Sequence, residues 1–244
     1  MSENAGTAPL ELARSKPHSP WLELIIRLLK EKPLAAVGGA IVLLMLVTGI
    51  FADQLASYGM NEVHLADALK PPFTQFVLGT DQLGRDLLSR IIYGARISMI
   101  VGLSAAALDV FLAIVIGVVS GFVGGKFDLT IQRFVDGWMS FPPLFIILTV
   151  MALLGSGLLQ VILVLGLSSG IRSSRVVRSA VIGIKENVYI DAARAIGCST
   201  RSILVRHILP NVMAPVIVIF SISVAGMILA EATVSFLGFG VPPP

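Results

Sequence analysis

Two acidic side chains that interrupt long apolar runs have the most unusual chemical setting in this sequence. Asp109 lies within the run 97–123, and Glu231 lies within the run 212–237. Because a charged side chain in hydrocarbon is costly, acids in such runs commonly line a path for an ion or a substrate. Asp109 is nearer the middle of its run and could line such a path or form a hydrogen-bonded contact between helices. Glu231 is nearer the end of its run, where an interfacial or subunit-contact carboxylate is the alternative.

No other set of residues predicts catalysis or metal binding. The three histidines, His18, His64 and His207, are far apart in sequence, whereas a metal site needs several ligands close together. The phosphate-binding pattern G-x-x-x-x-G-K-[ST] does not occur, so the chain is not expected to hydrolyse ATP. Cys198 is the single cysteine and excludes an internal disulfide. The residues therefore predict no catalytic site, no metal and no bound cofactor.

The composition indicates an integral membrane protein. Apolar residues make up 55% of the chain and charged residues 14%, with a mean hydropathy of +0.89, whereas soluble domains have about 25% charged residues. The apolar runs are 34–51, 97–123, 134–155, 158–171 and 212–237. The sequence therefore predicts an all-α, polytopic transmembrane helical bundle with five spans. The net charge of +3 does not indicate a nucleic-acid partner, because the basic residues are spread over several loops.

Charge placement decides how the short run 158–171 is interpreted. By length alone it could be the return arm of a re-entrant loop. If it crosses the membrane, the basic residues of 172–210 lie on the same side as the amino end, in keeping with the enrichment of Lys and Arg in cytoplasmic loops. The cytoplasmic segments then hold 14 of the 18 Lys and Arg residues. We therefore expect a cytoplasmic amino terminus and a helix that continues beyond residue 171 into the arginine-rich stretch.

Four segments follow from this topology. Residues 1–33 are predicted to form a cytoplasmic tail and an amphipathic helix on the membrane surface, 34–51 the first span, 52–96 an external segment, and 97–244 the core. Three glycines of the core share a spacing of four residues: Gly117, Gly121 and Gly125. Such spacing lets another helix approach closely.

The polar stretch 185–210 is predicted to contain two short helices joined at Ala195-Ile196-Gly197. In the first helix, apolar residues recur at i, i+3, i+4 and i+7 and should form one face: Tyr189, Ala192, Ala193 and Ile196. Gly197 is a residue at which such a helix can stop. Ser199 or Thr200 can cap the second helix, and Leu209-Pro210 is expected to end it.

Three stretches of the sequence resemble a known family. The first is Asp191-Ala192-Ala193, three further residues, Gly197, and a spacer that ends in Leu209-Pro210. It resembles the EAA loop of the membrane subunits of ATP-binding-cassette importers, with Asp191 in place of the usual Glu. The stretches 78–90 and 229–238 resemble the second permease subunit of dipeptide, oligopeptide and nickel importers. The resemblance covers nearly the whole chain, from about residue 30 onward.

The resemblance implies that the stretch 185–210 forms a cytoplasmic coupling helix on an ATPase subunit. The residues that would carry this coupling are Glu186, Tyr189, Asp191, Ala192, Ala193, Gly197, Leu209 and Pro210. The chain would then be a permease subunit in a bacterial or archaeal inner membrane. Two ATP-binding subunits would hold ATP and Mg, a second homologous permease would complete the path, and an external solute-binding protein would deliver a peptide, or nickel or another small solute.

The stretch 78–90 has two interpretations. Its motif residues are Gly79, Thr80, Asp81, Gly84, Arg85 and Asp86. The charges predict a salt-bridged turn that enters the second span, whereas the resemblance implies a place in the external vestibule near the solute-binding protein. The family also usually has a sixth span after residue 238, and one further span is expected if the gene encodes more residues.

The competing function is a secondary transporter driven by protons or sodium, with Asp109 and Glu231 as the ion carriers. This alternative gives no reason for the EAA-like loop. The two functions differ in their dependence on ATP, because ion-coupled transport would survive the loss of any ATPase partner.

Overall fold

The computed structural model describes residues 30–241, and the regular secondary structure within that range is helical. This confirms the predicted all-α, polytopic bundle. The predicted amphipathic helix within 1–33 falls almost wholly outside the described residues, as does the chain end at 242–244. The chain divides into two units, Met1–Leu44 and Met45–Pro244. The described part of the first unit is mainly the start of one helix, and the remaining elements belong to the second.

Helix α1, Pro33–Ile50, corresponds to the first predicted span. It has 18 residues and no charge, and at 1.5 Å per residue it is about 27 Å long, close to the thickness of a hydrocarbon core. Pro33 occupies its first position, where the missing N–H is harmless. Gly49 is its one buried residue among those described, so most of its apolar surface is free to face lipid.

The stretch between α1 and the next long helix contains a short helix α2, Ala52–Leu55, and one 3₁₀ turn, Leu65–Asp67. Its centre is the fully buried ring of Phe76. The rings of Tyr58, His64 and Phe73 lie with their centroids 5.1, 5.8 and 5.4 Å from that of Phe76. This small aromatic core gives the segment a fixed shape.

Helix α3, Leu87–Val123, has 37 residues and is about 55 Å long, well beyond the thickness of a membrane core. It begins ten residues before the predicted apolar run because Asp86 caps it. The Asp86 carboxylate accepts a hydrogen bond of 2.8 Å from the backbone N–H of Ser89. Polar capping therefore extends the helix beyond the apolar residues that predict it.

The run 134–155 was expected to form one span, but it does not form one continuous helix. Helix α4 is Gly125–Met139 and helix α5 is Pro143–Leu154, and the two are bent by 85° relative to each other. The reason is Pro142-Pro143, which removes two backbone donors and forbids a continuous helix. Helix α5 has 12 residues and is about 18 Å long, too short to cross a membrane by itself.

Helix α6, Leu158–Lys185, confirms that the run 158–171 continues into the arginine-rich stretch. Its 28 residues extend about 42 Å. By length and composition, three helices of the described part could cross a membrane, or four if the bent pair α4–α5 is one span. Helix α6, which contains the fourth predicted span, is not among these helices.

Glycines allow α3 and α6 to pack closely. A Cβ atom on Gly117 would lie 2.6 Å from the carbonyl oxygen of Ser174, and one on Gly121 would lie 3.0 Å from that of Arg178. The predicted close approach is therefore confirmed at these two positions. The third predicted glycine, Gly125, does not contribute: α3 ends at Val123, Gly125 starts α4 with a φ of 60°, and nothing lies within 4 Å of its Cβ position.

Two glycines of α6 complete the same interface. A Cβ atom on Gly166 would lie 2.8 Å from the Cβ of Leu108, and one on Gly170 would lie 2.7 Å from the Cβ of Leu112. These glycines are also four residues apart, so the spacing that identified the α3 glycines could have identified them. The contact thus has small residues on both helices.

The second short helix of 185–210 does not end at Leu209-Pro210. Helix α8, Thr200–Ile203, continues through one π-helical turn, Leu204–Ile208, into α9, Leu209–Phe236. Proline removes a donor and its ring clashes with the carbonyl four residues earlier. The π turn relieves this, since the N–H of Leu209 bonds the carbonyl of Leu204 and the side-chain amide of Asn211 donates to the carbonyl of His207 at 2.6 Å. Pro210 therefore widens the helix and does not stop it.

A Gly117→Ala substitution should destabilise the bundle, because the added methyl group meets the backbone of α6. We expect a loss of about 1–3 kcal/mol, measured as a lower melting temperature of the purified protein in detergent. Gly183→Ala is the matched control, since nothing lies within 4 Å of the Gly183 Cβ position. Equal melting temperatures for the two variants would contradict the close packing.

Candidate functional site

The first helix of the 185–210 segment, α7, spans Val188–Ala195, and the chain turns at Gly197 directly after it, close to where the helix was predicted to stop. Gly197 has a φ of 82°, in the left-handed region where glycine is favoured. The N–H of Gly197 bonds the carbonyl of Arg194, and the N–H of Cys198 bonds that of Ala193, each at 3.0 Å. This pair of bonds is a Schellman motif, which satisfies the last carbonyls of the helix and turns the chain sharply.

The apolar face predicted for α7 is mostly exposed, and of its four residues only Ala193 is buried. Ile190 and Ala193 are buried, whereas Tyr189 is 43% exposed and Ile196 is 81% exposed; Ala192 is exposed too. An eight-residue helix has room for about two turns, and its orientation is set by Ile190 and Ala193 packing one turn apart. The burial of Ile190, three residues before Ala193, was not predicted.

The second half of the segment is also fixed in place. Ser199 caps α8, with its hydroxyl accepting a hydrogen bond of 3.3 Å from the N–H of Ser202, so of the two predicted caps Ser199 is the one used. Ile203 and Ile208 are buried. Both halves join one cluster, which we call the segment core. Its buried members are Ala113, Val177, Val181, Ile190, Ala193, Ile203, Ile208, Val212 and Val216.

The outward surface of the segment keeps large apolar side chains uncovered. Val188, Ile196 and Val205 are 83%, 81% and 55% exposed. The ring of Tyr189 lies 6.2 Å from that of His207, so the two helices of the segment present one continuous surface. Glu186 and Asp191 are exposed beside it, and Asp191 accepts a hydrogen bond of 3.0 Å from Arg194. The arrangement provides an apolar surface with charged margins.

Two ion pairs connect α4 to α6 near this segment. Arg178 donates to Asp128 with an Nε to Oδ1 distance of 2.6 Å, and Arg175 pairs with Asp136. At the end of α6, the ammonium group of Lys185 donates to the carbonyl oxygen of Phe122 at 2.6 Å. These contacts join α3, α4 and α6 where the segment begins.

The motif within residues 78–90 forms a closed hydrogen-bonded turn, as the charges predicted. The Asp81 carboxylate accepts from the backbone N–H groups of Leu83 at 2.8 Å and Arg85 at 3.0 Å, and from Nε of Arg85 at 2.8 Å. Arg90 also pairs with it. Desolvation raises the pKa of Asp81, but the hydrogen bonds from Arg85 and Leu83 outweigh it and lower the pKa to about 2.

The remaining motif residues hold this turn within the segment that precedes α3. The hydroxyl of Thr80 donates to the carbonyl oxygen of Asp67 and accepts from the N–H of Lys70 at 3.0 Å. Gly79 and Gly84 have φ of 79° and 75°, and a Cβ atom on either would overlap a neighbouring backbone. The motif residues thus stabilise the fold of this segment through contacts within the chain.

Arg96 makes a set of contacts that the sequence analysis missed. It donates to the carbonyl oxygen of Gly49 at 2.8 Å, at the end of α1, and its Nη2 atom lies 2.8 Å from the Asp53 carboxylate. The hydrogen bond from Arg96 holds the pKa of Asp53 below its usual value. The partners are more than forty residues apart in sequence, so no local pattern could have revealed the pairing.

The two intramembrane acids are not brought together. Asp109 is fully buried, and the hydroxyl of Ser223 on α9 donates to its Oδ2 atom. Glu231 is 7% exposed and accepts from Ser235 of its own helix at 2.7 Å. Ser223 and Glu231 are eight residues apart on α9, or about 12 Å. Asp109 therefore forms the predicted interhelical contact, and the two acids do not share one site.

A groove of about 550 Å³ lies between α5, α6 and α9. Its polar lining residues are Ser168, Ser169, Arg172, Ser173 and Ser223. The sequence analysis treated Arg172 only as a charge that sets topology, so this groove was missed. Asp109 lies behind the wall of this groove, because Ser223 lines the groove and also donates a hydrogen bond to Asp109.

The fold and the segment define a polytopic helical membrane protein with an apolar surface patch on a short loop helix. Comparison with known families makes this specific. Residues 113–244 match the model of the binding-protein-dependent transport system inner membrane component, and residues 19–72 match the N-terminal transmembrane domain of oligopeptide transport permease C. The chain therefore belongs to the family of inner membrane permease components of binding-protein-dependent transport systems.

Three relatives illustrate the similarity. The chain is 36% identical to the oligopeptide transport system permease protein OppC of Bacillus subtilis, over 99% of this chain and 78% of the relative. It is 34% identical to the dipeptide transport system permease protein DppC of the same organism, over 89% and 68%. It is 33% identical to the glutathione transport system permease protein GsiD of Pectobacterium atrosepticum, over 97% and 79%. The chain is thus a multi-pass transport subunit of the inner membrane.

An Asp81→Asn substitution should destabilise the 78–90 turn by about 2 kcal/mol at neutral pH, because an ionised Asp81 is stabilised only in the folded state. Since the folded pKa is lowered to about 2, this stability is present above about pH 4 and is lost as the pH falls towards 2. The melting temperatures of the native chain and the variant should therefore differ at pH 7 and converge near pH 2.

The control for this experiment is Asp67→Asn, which removes the more exposed ion pair with Lys70 and should have a smaller effect. A difference between native chain and Asp81→Asn that stays constant from pH 7 to pH 2 would show that ionisation of Asp81 is not the cause.

Proposed function

We propose that this chain is one of two permease subunits of an importer that is driven by ATP hydrolysis in partner subunits. In this proposal two ATP-binding subunits hold ATP and Mg, and a second homologous permease completes the translocation path. The amino end and the 185–210 segment are cytoplasmic, in keeping with the placement of the basic residues. The observation that carries the proposal is the exposed apolar surface of a segment whose opposite side is anchored in the bundle.

The surface has the features expected of a docking site. Val188 and Ile196 are large apolar side chains that are more than four-fifths exposed. Val188 is the first residue of α7, and Ile196 directly follows its last residue. Burial of such side chains against a partner contributes about 25 cal/mol per Å² of apolar area. The charged margin at Glu186 and Asp191 suits the polar rim of a protein interface. An ATPase subunit seated here would cover the patch.

The segment core supplies the route by which ATPase motion reaches the membrane. The helix that begins at Thr200 continues without interruption to Phe236, and Ile190 and Ala193 of α7 pack in the same cluster as Val212 and Val216 of α9. Displacement of the segment therefore displaces α9 directly. Closure of the ATPase pair would switch the path between inward-open and outward-open states, as expected for two alternative packings of rigid helices.

A peptide is the substrate that the similarities favour. The relatives described above are named as oligopeptide, dipeptide and glutathione transport permeases. An external solute-binding protein would deliver the peptide, while nickel or another small solute is the less favoured cargo. No observation favours an ion-coupled transporter, since Asp109 and Glu231 are hydrogen-bonded at separate places.

Co-purification tests this function. In the double variant Val188→Glu/Ile196→Glu, two carboxylates replace the apolar contact. The amount of ATPase subunit that co-purifies with it from membranes should therefore be at least tenfold lower than with the native chain. Leu65→Glu is the matched control, since it changes a residue that is 70% exposed in the external segment, and it should retain the ATPase.

Membrane insertion of every variant is checked by carbonate extraction. Absence of an ATPase subunit from the intact native complex would overturn the proposed function. Full retention by the double variant would show that the ATPase docks elsewhere.

A further inference from the structure

We propose that Arg172 binds the carboxylate group of a peptide as it passes through the serine groove, defined as the cavity between α5, α6 and α9 lined by Ser168, Ser169, Arg172, Ser173 and Ser223. This inference rests on the proposed function, because it assigns a contact to the peptide that the permease would carry.

Arg172 differs from its neighbours in lacking an acidic partner. Along α6, Arg175 pairs with Asp136 and Arg178 pairs with Asp128. Within residues 30–241, no carboxylate forms an ion pair with Arg172. The side chain is nevertheless only partly exposed and lines the groove. A charged side chain held in a bundle without a partner points to a ligand that supplies the opposite charge.

Arg172 lies on α6 beside the groove that this proposal assigns to the solute path. It lies 14 residues after Leu158, or about 21 Å along α6, well inside the length of the helix. A peptide carboxylate that enters an apolar passage loses water, which is costly unless a partner replaces it. The planar guanidinium of arginine is suited to this task, because its donors match the two oxygens of a carboxylate.

The other polar lining of the groove suits a peptide as well. A serine hydroxyl has one donor hydrogen and can also accept. The hydroxyls of Ser169 and Ser223, which are directed to Asp109, can therefore accept from peptide N–H groups, and that of Ser168 can bond either an N–H or a C=O group. A phospholipid bound through its phosphate would place an acyl chain in the groove, and an acyl chain cannot form hydrogen bonds with serine hydroxyls. The serines therefore favour a peptide carboxylate over a phospholipid phosphate as the partner of Arg172.

Asp109 stabilises the wall of this groove. Its Oδ2 atom accepts from Ser223, and Ser169 and Ser173 lie near the same carboxylate. Within the described residues its Oδ1 atom forms no hydrogen bond and is buried. Since Asp109 is fully buried, it can orient the serine hydroxyls while its carboxyl group stays out of the groove. Arg172 is then the charged group that a passing peptide meets.

The test compares peptides with free and amidated carboxyl ends in proteoliposomes that contain the complete transporter and its binding protein. The probes are mixed tri- to pentapeptides and the same mixture after amidation. In Arg172→Gln, uptake of the free acids should fall about tenfold, the loss expected for one charge-assisted hydrogen bond, while uptake of the amides stays unchanged. Arg172→Lys should retain part of the preference.

The matched control is Arg175→Gln, three residues further along α6, which should change acid and amide uptake by the same factor. Because a binding protein could itself reject amides, binding of a fluorescent tetrapeptide acid to the purified complex without that protein is measured too. This binding should weaken about tenfold in Arg172→Gln and remain unchanged in Arg175→Gln.

Equal effects of Arg172→Gln on acids and amides, or no effect on the tetrapeptide, would overturn the role of Arg172. Loss of co-purified anionic phospholipid with unaltered peptide handling would assign the arginine to a lipid phosphate and also overturn it. Absence of any peptide uptake by the native transporter would instead contradict the proposed peptide substrate, so the two failures are distinguishable.

Discussion

The close approach of α3 and α6 is the contact on which the rest of the structure depends. Because Gly117 and Gly121 have no side chains, the backbone of α3 lies directly against α6. A Cβ atom on Gly117 would lie 2.8 Å from the Cβ of Val177, and one on Gly121 would lie 3.1 Å from the Cβ of Val181. These two valines also belong to the segment core beneath α7 and α8. The packing between the long helices and the attachment of the 185–210 segment therefore use the same residues, so the segment is held rigidly to the bundle.

This attachment explains how a short loop helix can act on a membrane path. α7 has only eight residues, too few to be stable by itself in water. Its stability comes from Ile190 and Ala193 in the segment core, and its outward residues remain free for a partner. Because α8, the π turn and α9 form one helix from Thr200 to Phe236, movement of the segment is transmitted along the bundle and past the serine groove.

The sequence predicted the features that depend on local pattern and missed those that depend on distant contacts. Apolar runs identified the long helices, and Gly197 and Ser199 identified the turn and cap of the 185–210 segment. The apolar face predicted for α7 is mostly exposed, and tertiary packing buries Ile190, which the apolar pattern did not include. Pro210 was expected to end a helix, but a π turn accommodates it. The contact of Arg96 with Gly49 and the groove at Arg172 join residues far apart in sequence, and no single-chain pattern specifies them.

The central claim is that the exposed face of the 185–210 segment is cytoplasmic and covered by a partner subunit. The most direct measurement is labelling of Val188→Cys, in a Cys198→Ser background, with a membrane-impermeant maleimide. In inside-out vesicles the cysteine should react after peripheral subunits are stripped with urea and should be protected when those subunits are kept. Reaction only in right-side-out vesicles, or equal reaction with and without the peripheral subunits, would contradict the account.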